Sequence, residues 1–306
     1  MTPSASIPST CAGRYHVMVV APPGLIHSAA FKELAEATAQ GLLSLNHTVS
    51  ADLNRSEPGA VNIIIGAHLL DEAGLAALPA SSIIYNTEPA ALCGPGAEGM
   101  YARLRQAMSR FPAWDYSRRN IQVWRDSGIS PRVHYLLPGY APVLTRIPPA
   151  AEQDIDVLFY GSINQRRQHL LLELQRHGVK VCHAFGCFGP QRDQLIARSK
   201  LVLNMHFHDE QIFESVRVSY LLANRKAVVA EVNPGTDIDP RLRPAVAAAP
   251  YDGLVEVCQQ LLADAQARST QESTGFEQMR QLTMSALLAP LLHSAPAVAQ
   301  APLQGR

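Results

Sequence analysis

Residues 157–167 read VLFYGSINQRR: an apolar run stops at Gly161, a short polar loop follows, and two arginines stand together where a helix should begin. Gly161 permits a tight turn and a close backbone approach. Ser162 or Asn164 can cap the helix, whose free N–H groups attract anions. Arg166 and Arg167 add fixed positive charge in a fork that matches phosphate oxygens. Cations at that end oppose the helix dipole at a cost of roughly 0.3–1 kcal/mol each, which an anionic ligand would offset. The alternative is that both side chains face solvent or pair with Asp154 or Asp156.

A second group lies in residues 204–231, NMHFHDEQIFESVRVSYLLANRKAVVAE. The pattern predicts a strand ending at His206-Phe207-His208, then a helix on which Glu210, Glu214 and Arg217 share one face. Glu214 and Arg217 can also pair within the helix. The dipole alone favours Glu210 in a first turn, whereas Glu214, deeper in an apolar stretch, suits a ribose or sugar hydroxyl. His206 and His208 alternate on the strand and would face one side. They could begin a metal site, but spacing supplies no third ligand. Hydrogen bonding in a cleft is the expected role, and no metal is expected.

The first half offers a third group. APPGLIHS supplies Gly24 for close backbone approach and His27, which is either a general base, with an unperturbed pKa near 6.5, or an exposed loop histidine. YNTEP sets Glu88 just past a strand, where a carboxylate could take a proton or orient an acceptor hydroxyl. WDYSRRN interleaves Trp114 and Tyr116 with charged residues, which suits stacking on a carbohydrate or base and equally suits an ordinary surface. Tyr140, after the Pro-Gly of YLLPGY, is expected at the cleft.

These residues follow apolar runs because the chain alternates strands and helices, the pattern of a parallel sheet covered on both faces. Strands are read in YHVMVVAP, HTVSADL, VNIIIGAH, SSIIYNTEP and RVHYLLPGY, with helices at 28–47, 71–78, 97–109 and near 121–128. APVLTRIPPAAEQD has three prolines and no periodicity and reads as a linker. The βα alternation then restarts through DIDVLFYG, VKVCHAFG, LVLNMHFH and KAVVAE, with late helices near 252–267 and 273–288. The expected organisation is a loose segment 1–13, a first α/β domain 14–140, a linker 141–153, a second α/β domain 154–293 and a loose tail 294–306. Two doubly wound sheets in tandem leave a cleft, with ligands outside the carboxyl ends of strands.

Composition fits this reading. The chain has 306 residues, 47% apolar and 17% charged, with Lys+Arg and Asp+Glu equal at 26 each. A nucleic-acid binder held by a basic surface would carry an excess of cations, so no nucleic-acid partner is expected. No long uncharged apolar window suggests a membrane span, and the first residues lack the charged and apolar blocks of a secretory signal. The five scattered cysteines read as reduced thiols of a cytoplasmic protein. The abundance of Ala, Leu and Arg hints at a GC-rich bacterial gene.

DVLFYGSINQRR, RDQLIARSKLVLNMHFHDEQIFESVRVSYLLANRKAVVAE, IIYNTEP and WDYSRRNIQVW together resemble GT-B glycosyltransferases, specifically the bacterial CgeB-like and group-1-like proteins. The resemblance covers about residues 15–235. It implies two Rossmann-like domains and transfer of a sugar from a nucleoside diphosphate-sugar to an acceptor hydroxyl, without a metal or further cofactor. It also implies that Gly161, Arg166 and Arg167 hold the diphosphate, that Glu210 and Glu214 lie near sugar and ribose, and that the acceptor sits on the first domain. Many retaining members carry two glutamates with seven residues between them in this helix. Here Val218 follows Glu210 by eight and Leu222 follows Glu214 by eight, so the pair is absent. Asn224-Arg225 replaces the family's glycine before the last strand. The missing pair leaves room for two other readings, a non-catalytic nucleotide-sugar or protein-binding module and an NDP-sugar epimerase.

Overall fold

The structure, a computed structural model, describes residues 12–207 and 211–292. The segments expected to be loose at the two ends, 1–13 and 294–306, therefore lie largely or wholly outside the described residues. The first sheet contains β1 (Arg14–Val19), β2 (Thr48–Leu53), β3 (Val61–Ile65), β4 (Ser82–Asn86), β5 (Ala113–Asp115) and β6 (Val133–Tyr135). All pairs are parallel and the order is β2-β1-β3-β4-β5-β6. The second contains β7 (Ile155–Tyr160), β8 (Val181–Ala184), β9 (Ser199–Asn204), β10 (Ala227–Glu231) and β11 (Ala247–Ala249), again parallel, in the order β11-β10-β9-β7-β8.

Helices cover the sheets: α1 (Lys32–Ser44), α2 (Glu72–Ala77), α3 (Gly99–Arg110) and α4 (Arg118–Asp126) in the first half, then α5 (Gln165–Arg176), α6 (Gly189–Arg198), α7 (Ser215–Ala223), α8 (Leu254–Ala263), α9 (Ala265–Gln281) and α10 (Met284–Leu292). Every residue of β3 and β4 is buried, as a parallel strand covered on both faces requires. The expected pair of doubly wound sheets is present. Chain order reverses between β1 and β3 in one sheet and between β7 and β9 in the other. Loops leaving those neighbours diverge and open a crevice.

Four features depart from the sequence reading. β5 and β11, three residues each, are too short to show a period. α7 begins at Ser215, because Gln211 has φ 51° and Ile212 is bridged to Asp237, which holds the preceding segment out of a helix. Glu214 and Arg217 thus meet across one helix start, and Glu210 lies outside the described residues. The proline-rich stretch is docked rather than free: Leu144 is buried, Thr145 donates to the Ala223 carbonyl, and the Asn224 side chain accepts from the amides of Arg146 and Ile147. Finally, α10 leaves the second sheet and packs on α1, with Met284 and Leu288 over Gly41.

Arg225 occupies the position where the resemblance calls for glycine, and it adopts the same left-handed turn, with φ 55°. Its guanidinium lies 3.6 Å from the centre of the Phe276 ring, a contact glycine could not make.

The crossing of α10 depends on Gly139. The Tyr140 amide donates to Leu282 O at 2.8 Å and the Met284 amide to Tyr140 O at 2.7 Å. A Cβ on Gly139 would come within 2.8 Å of the Met284 Cα and 2.9 Å of its N, both backbone atoms. Gly139→Ala is expected to destabilise the protein by about 1–3 kcal/mol through overpacking, read as a lower urea midpoint with an unchanged m-value.

Candidate functional site

The two crevices face each other across a cleft of about 590 Å³ lined by both halves, among them His27, Glu33, His68, Glu88 and Tyr116 from the first and Gly161, Arg167, Arg192, Glu214 and Arg217 from the second. The second wall is built from the end of β7. Gly161 sits at φ 131°, a conformation L side chains rarely adopt, and a Cβ there would lie 3.1 Å from a terminal nitrogen of Arg217. Its glycine is therefore needed for conformation and for the close approach of a guanidinium. Ser162 lines the same wall. Asn164 caps α5 by accepting from the Arg167 amide at 2.9 Å, while its side-chain nitrogen donates to Phe207 O at 3.0 Å.

The two arginines part company. Neighbouring helix residues point about 100° apart, so both cannot enter one cleft. Arg167 is 2% exposed and lies between the rings of Phe159 and Phe207, each centred 5.1 Å away. It donates to the carbonyls of Ser162, Met205 and His206 and to Glu214 at 3.0 Å. Arg166 turns to a separate hollow, forks onto Glu231 and stacks 3.9 Å from the Tyr251 ring centre. The expectation that both arginines face one diphosphate is corrected: Arg166 is engaged outside the cleft and Arg167 is spent largely on backbone. Neither pairs with Asp154 or Asp156, which take Arg198 and Lys200.

Arg217 is the cation that takes the vacant place. It packs against Tyr160, donates to Asn204 Oδ1 at 3.3 Å and pairs with Glu214 at 2.9 Å, beside Gly161. Glu214, at the N-cap of α7, gives one oxygen to Arg167 and the other to Arg217. Burial resists ionisation of Glu214, but the charges of Arg217 and Arg167 prevail and hold its carboxyl below the usual range. His206 is 3% exposed, lies beyond the end of β9, and turns its ring to Thr236 and the Ile212 carbonyl. Burial lowers its pKa, so it is neutral near pH 7. β9 ends at Asn204, short of His206, and His208 lies outside the described residues.

On the opposite wall the loop after β4 presents Glu88. Burial first, and the charge of Glu214 second, push its carboxyl up to about 7. His68 stands 3.7 Å from it, but burial and the charge of Arg103 lower that imidazole to about 4, so this contact is not an ion pair at neutral pH. His27 lines the cleft mouth as an exposed side chain, its ring 5.4 Å from Phe185 and 5.9 Å from Phe188. Tyr116 lines the cleft.

Three acceptor-side expectations are corrected. Trp114 is a core residue of β5, edge-on to Tyr85 and 2% exposed. Tyr140 turns to Phe276 and Thr145, away from the cleft, because its backbone is paired with the strap leading to α10. Gly24, at φ 81°, forms an exposed turn and does not line the cleft.

Reading the sequence missed His68, Phe185, Phe188, Arg192 and Glu33. The first three follow strands, so applying the strand-end rule to every run would have found them. Glu33 and Arg192 carry no such signal: they meet at 2.8 Å, both nearly buried, across the two halves, with Arg146 adding contacts to Glu33 and Glu36. On the other side Ser117 donates to Asp237, Arg119 to Gly235 O, and Tyr135 to Asp239. Among the described residues no three His, Cys, Asp or Glu side chains gather as metal ligands, and no helix is long and apolar enough to cross a membrane.

No protein-family model matches the sequence. Two uncharacterised proteins of Acanthamoeba polyphaga mimivirus are similar: L137, 32% identical over 123 residues, covering 38% of this chain and 16% of L137, and L140, 27% identical over 155 residues, covering 49% of this chain and 50% of L140. The chain thus matches half or less of these relatives' length. Solved structures agree over nearly the whole chain. HepE of Anabaena, in complex with UDP and glucose, superposes with TM-score 0.57 at 13% identity, covering 92% of this chain and 99% of that one. WaaG, a glycosyltransferase involved in lipopolysaccharide biosynthesis, gives 0.57 at 11%, covering 93% and 100%. A mutant of BGT from T4 phage, in complex with UDP-glucose, gives 0.57 at 10%, also covering 93% and 100%. The fold is GT-B.

The raised pKa of Glu88 has a thermodynamic consequence. A carboxyl with folded pKa about 7 and unfolded pKa near 4.5 binds more protons when folded, so stability falls as pH rises through that interval. Glu88→Gln removes the loss. The variant is expected to match wild type at pH 4 and to exceed it at pH 8 by on the order of 1 kcal/mol or more, measured by urea unfolding at both pH values.

Proposed function

We propose that the protein is a glycosyltransferase that moves a sugar from a nucleoside diphosphate-sugar to an acceptor hydroxyl. The observation that carries this reading is a carboxyl poised near pH 7, Glu88, across a cleft from Gly161, Arg167 and Arg217. A general base works best with a pKa near the operating pH. Two guanidiniums share one carboxylate on the opposite wall, which leaves net positive charge for a departing diphosphate. The pattern ES-x-R…LLANRKAVV supports a place among CgeB-like and group-1-like proteins.

In this reading the diphosphate lies against Gly161 and Ser162, with Arg217 and Arg167 facing its oxygens. Glu214 turns to a sugar or ribose hydroxyl. The acceptor lies beside Glu88 and Tyr116. The acceptor oxygen bonds to the anomeric carbon, the bond from that carbon to the phosphate oxygen breaks, and its electron pair leaves on the diphosphate. Glu88 takes the acceptor proton, the part a base plays when the acceptor attacks opposite the leaving diphosphate in a single inverting step. The two arginines carry the leaving group's charge, so turnover is proposed to be independent of added metal. UDP-sugars are the first donors to try, since HepE and BGT were solved with UDP and UDP-glucose.

Arg217→Ala should weaken UDP binding about 10- to 100-fold, the worth of one hydrogen bond to a charged group, by calorimetry. Glu88→Gln should lower kcat by about 10²–10⁴ with UDP affinity unchanged and with turnover indifferent to EDTA. Binding without hydrolysis or transfer would favour a non-catalytic module. A donor sugar converted without acceptor would favour an epimerase. Failure to bind UDP-, GDP-, dTDP- and ADP-sugars alike would remove the donor site.

A further inference from the structure

Asp115, at the end of β5, is fully buried, and nothing in the proposed reaction uses it. Four donors converge on it. One oxygen accepts from the Ser117 amide at 2.9 Å and Asn120 Nδ2 at 3.0 Å, the other from Asn86 Nδ2 at 2.7 Å and Trp124 Nε1 at 2.9 Å. Asn86 and Asn120 are themselves buried, and each reaches on to the loop that carries Glu88. Asn86 Nδ2 donates to Glu88 O at 2.8 Å and Asn120 Nδ2 does so at 2.9 Å. In return Asn86 Oδ1 accepts from the Glu88 amide at 3.1 Å and Asn120 Oδ1 from the Ala90 amide at 2.8 Å. Both hydrogens of each amide nitrogen are committed, one to Asp115 and one to the loop. An amide has only two such hydrogens, so Asp115 dictates which way both amides face.

Resting on the transferase reading of Glu88, we propose that Asp115 is a positioning residue: through Asn86 and Asn120 it locks the backbone of residues 88–90 and keeps the Glu88 carboxyl turned into the cleft. The same carboxylate fixes the Ser117 amide, and the Ser117 hydroxyl donates to Asp237 of the second half. Glu88 is thereby referenced to the half that carries Arg217. Burial pushes the Asp115 carboxyl up to about 7, the four donors pull the other way, and all four are accepted together when the carboxylate is ionised. An asparagine would present hydrogens to two of them, release one amide clamp and let the loop relax toward solvent. A carboxyl displaced by about 1 Å can cost on the order of 10²-fold in rate.

The test uses Asp115→Asn and, because a buried charge change can impair folding, Asn86→Ala, which alters no charge and leaves the other three donors in place. In the first arm, the Glu88 side-chain carboxyl is followed by carbon-13 NMR against pH. Its midpoint is expected near 7 in wild type and shifted down toward ordinary glutamate in both variants. An unmoved midpoint in folded Asn86→Ala overturns the proposal. In the second arm, kcat and UDP affinity are measured for each variant alone and combined with Glu88→Gln. The expected result is a kcat loss of about 10²-fold at unchanged UDP affinity, with no further loss in the Glu88→Gln background. An equal loss in both backgrounds shows that Asp115 only supports the fold and overturns the proposal. If Glu88→Gln turns over normally, Glu88 is not the base; if no donor is used, the transferase reading fails; in both cases the titration still decides whether Asp115 positions Glu88.

Discussion

A single carboxylate, Glu214, lies between two guanidiniums, and the second wall of the cleft is organised around that arrangement. Arg167 could not be buried without it. The cation spends three donor directions on carbonyls, which balance no charge, and among the described residues Glu214 supplies the opposite charge in direct contact. Removing water from an unpaired guanidinium would be costly. Sharing one carboxylate between two cations solves that problem while leaving the group cationic overall. It also acts at a distance, since the charge of Glu214, after burial, helps raise the Glu88 pKa to about 7 across the cleft. A structural ion pair and the acidity of the opposite wall are thus one interaction seen from two sides.

The halves that carry these groups are held together at both flanks of the cleft. Glu33 meets Arg192 and Arg146 on one flank, and Asp237 and Asp239 meet Ser117 and Tyr135 on the other. The apolar interior is continuous as well, running from Val17 and Ile63 through Leu137 and Leu144 to Leu221, with Met284 and Leu288 returning to α1. The flank contacts are themselves largely buried, and together with the continuous apolar floor beneath them they set the separation of the two walls.

The fold was legible because parallel strands buried on both faces leave uninterrupted apolar runs. VNIII, SIIYN and AVVAE could be little else. β5 escaped because three residues show no period, and its Trp-Asp pair was mistaken for a surface recognition patch. The tryptophan is core, and the aspartate anchors the loop bearing Glu88. Glu88 itself was visible, since a carboxylate after a strand stands out in sequence. Arg217 was read as a donor-site residue sharing a face with Glu214, and its guanidinium fills the space that Gly161 leaves.

By itself the sequence determined the two α/β halves, the strand-end loops that face a cleft, and several residues on those loops, because hydrophobic period and turn chemistry are local properties. Tertiary structure decided which charges remain available. Arg166 and Arg167 are adjacent in the chain and identical in type, yet one helical step sends the first to Glu231 and the second to Glu214. Charge is written in the sequence, but its partner comes from another element tens of residues away, and only folding sets that distance.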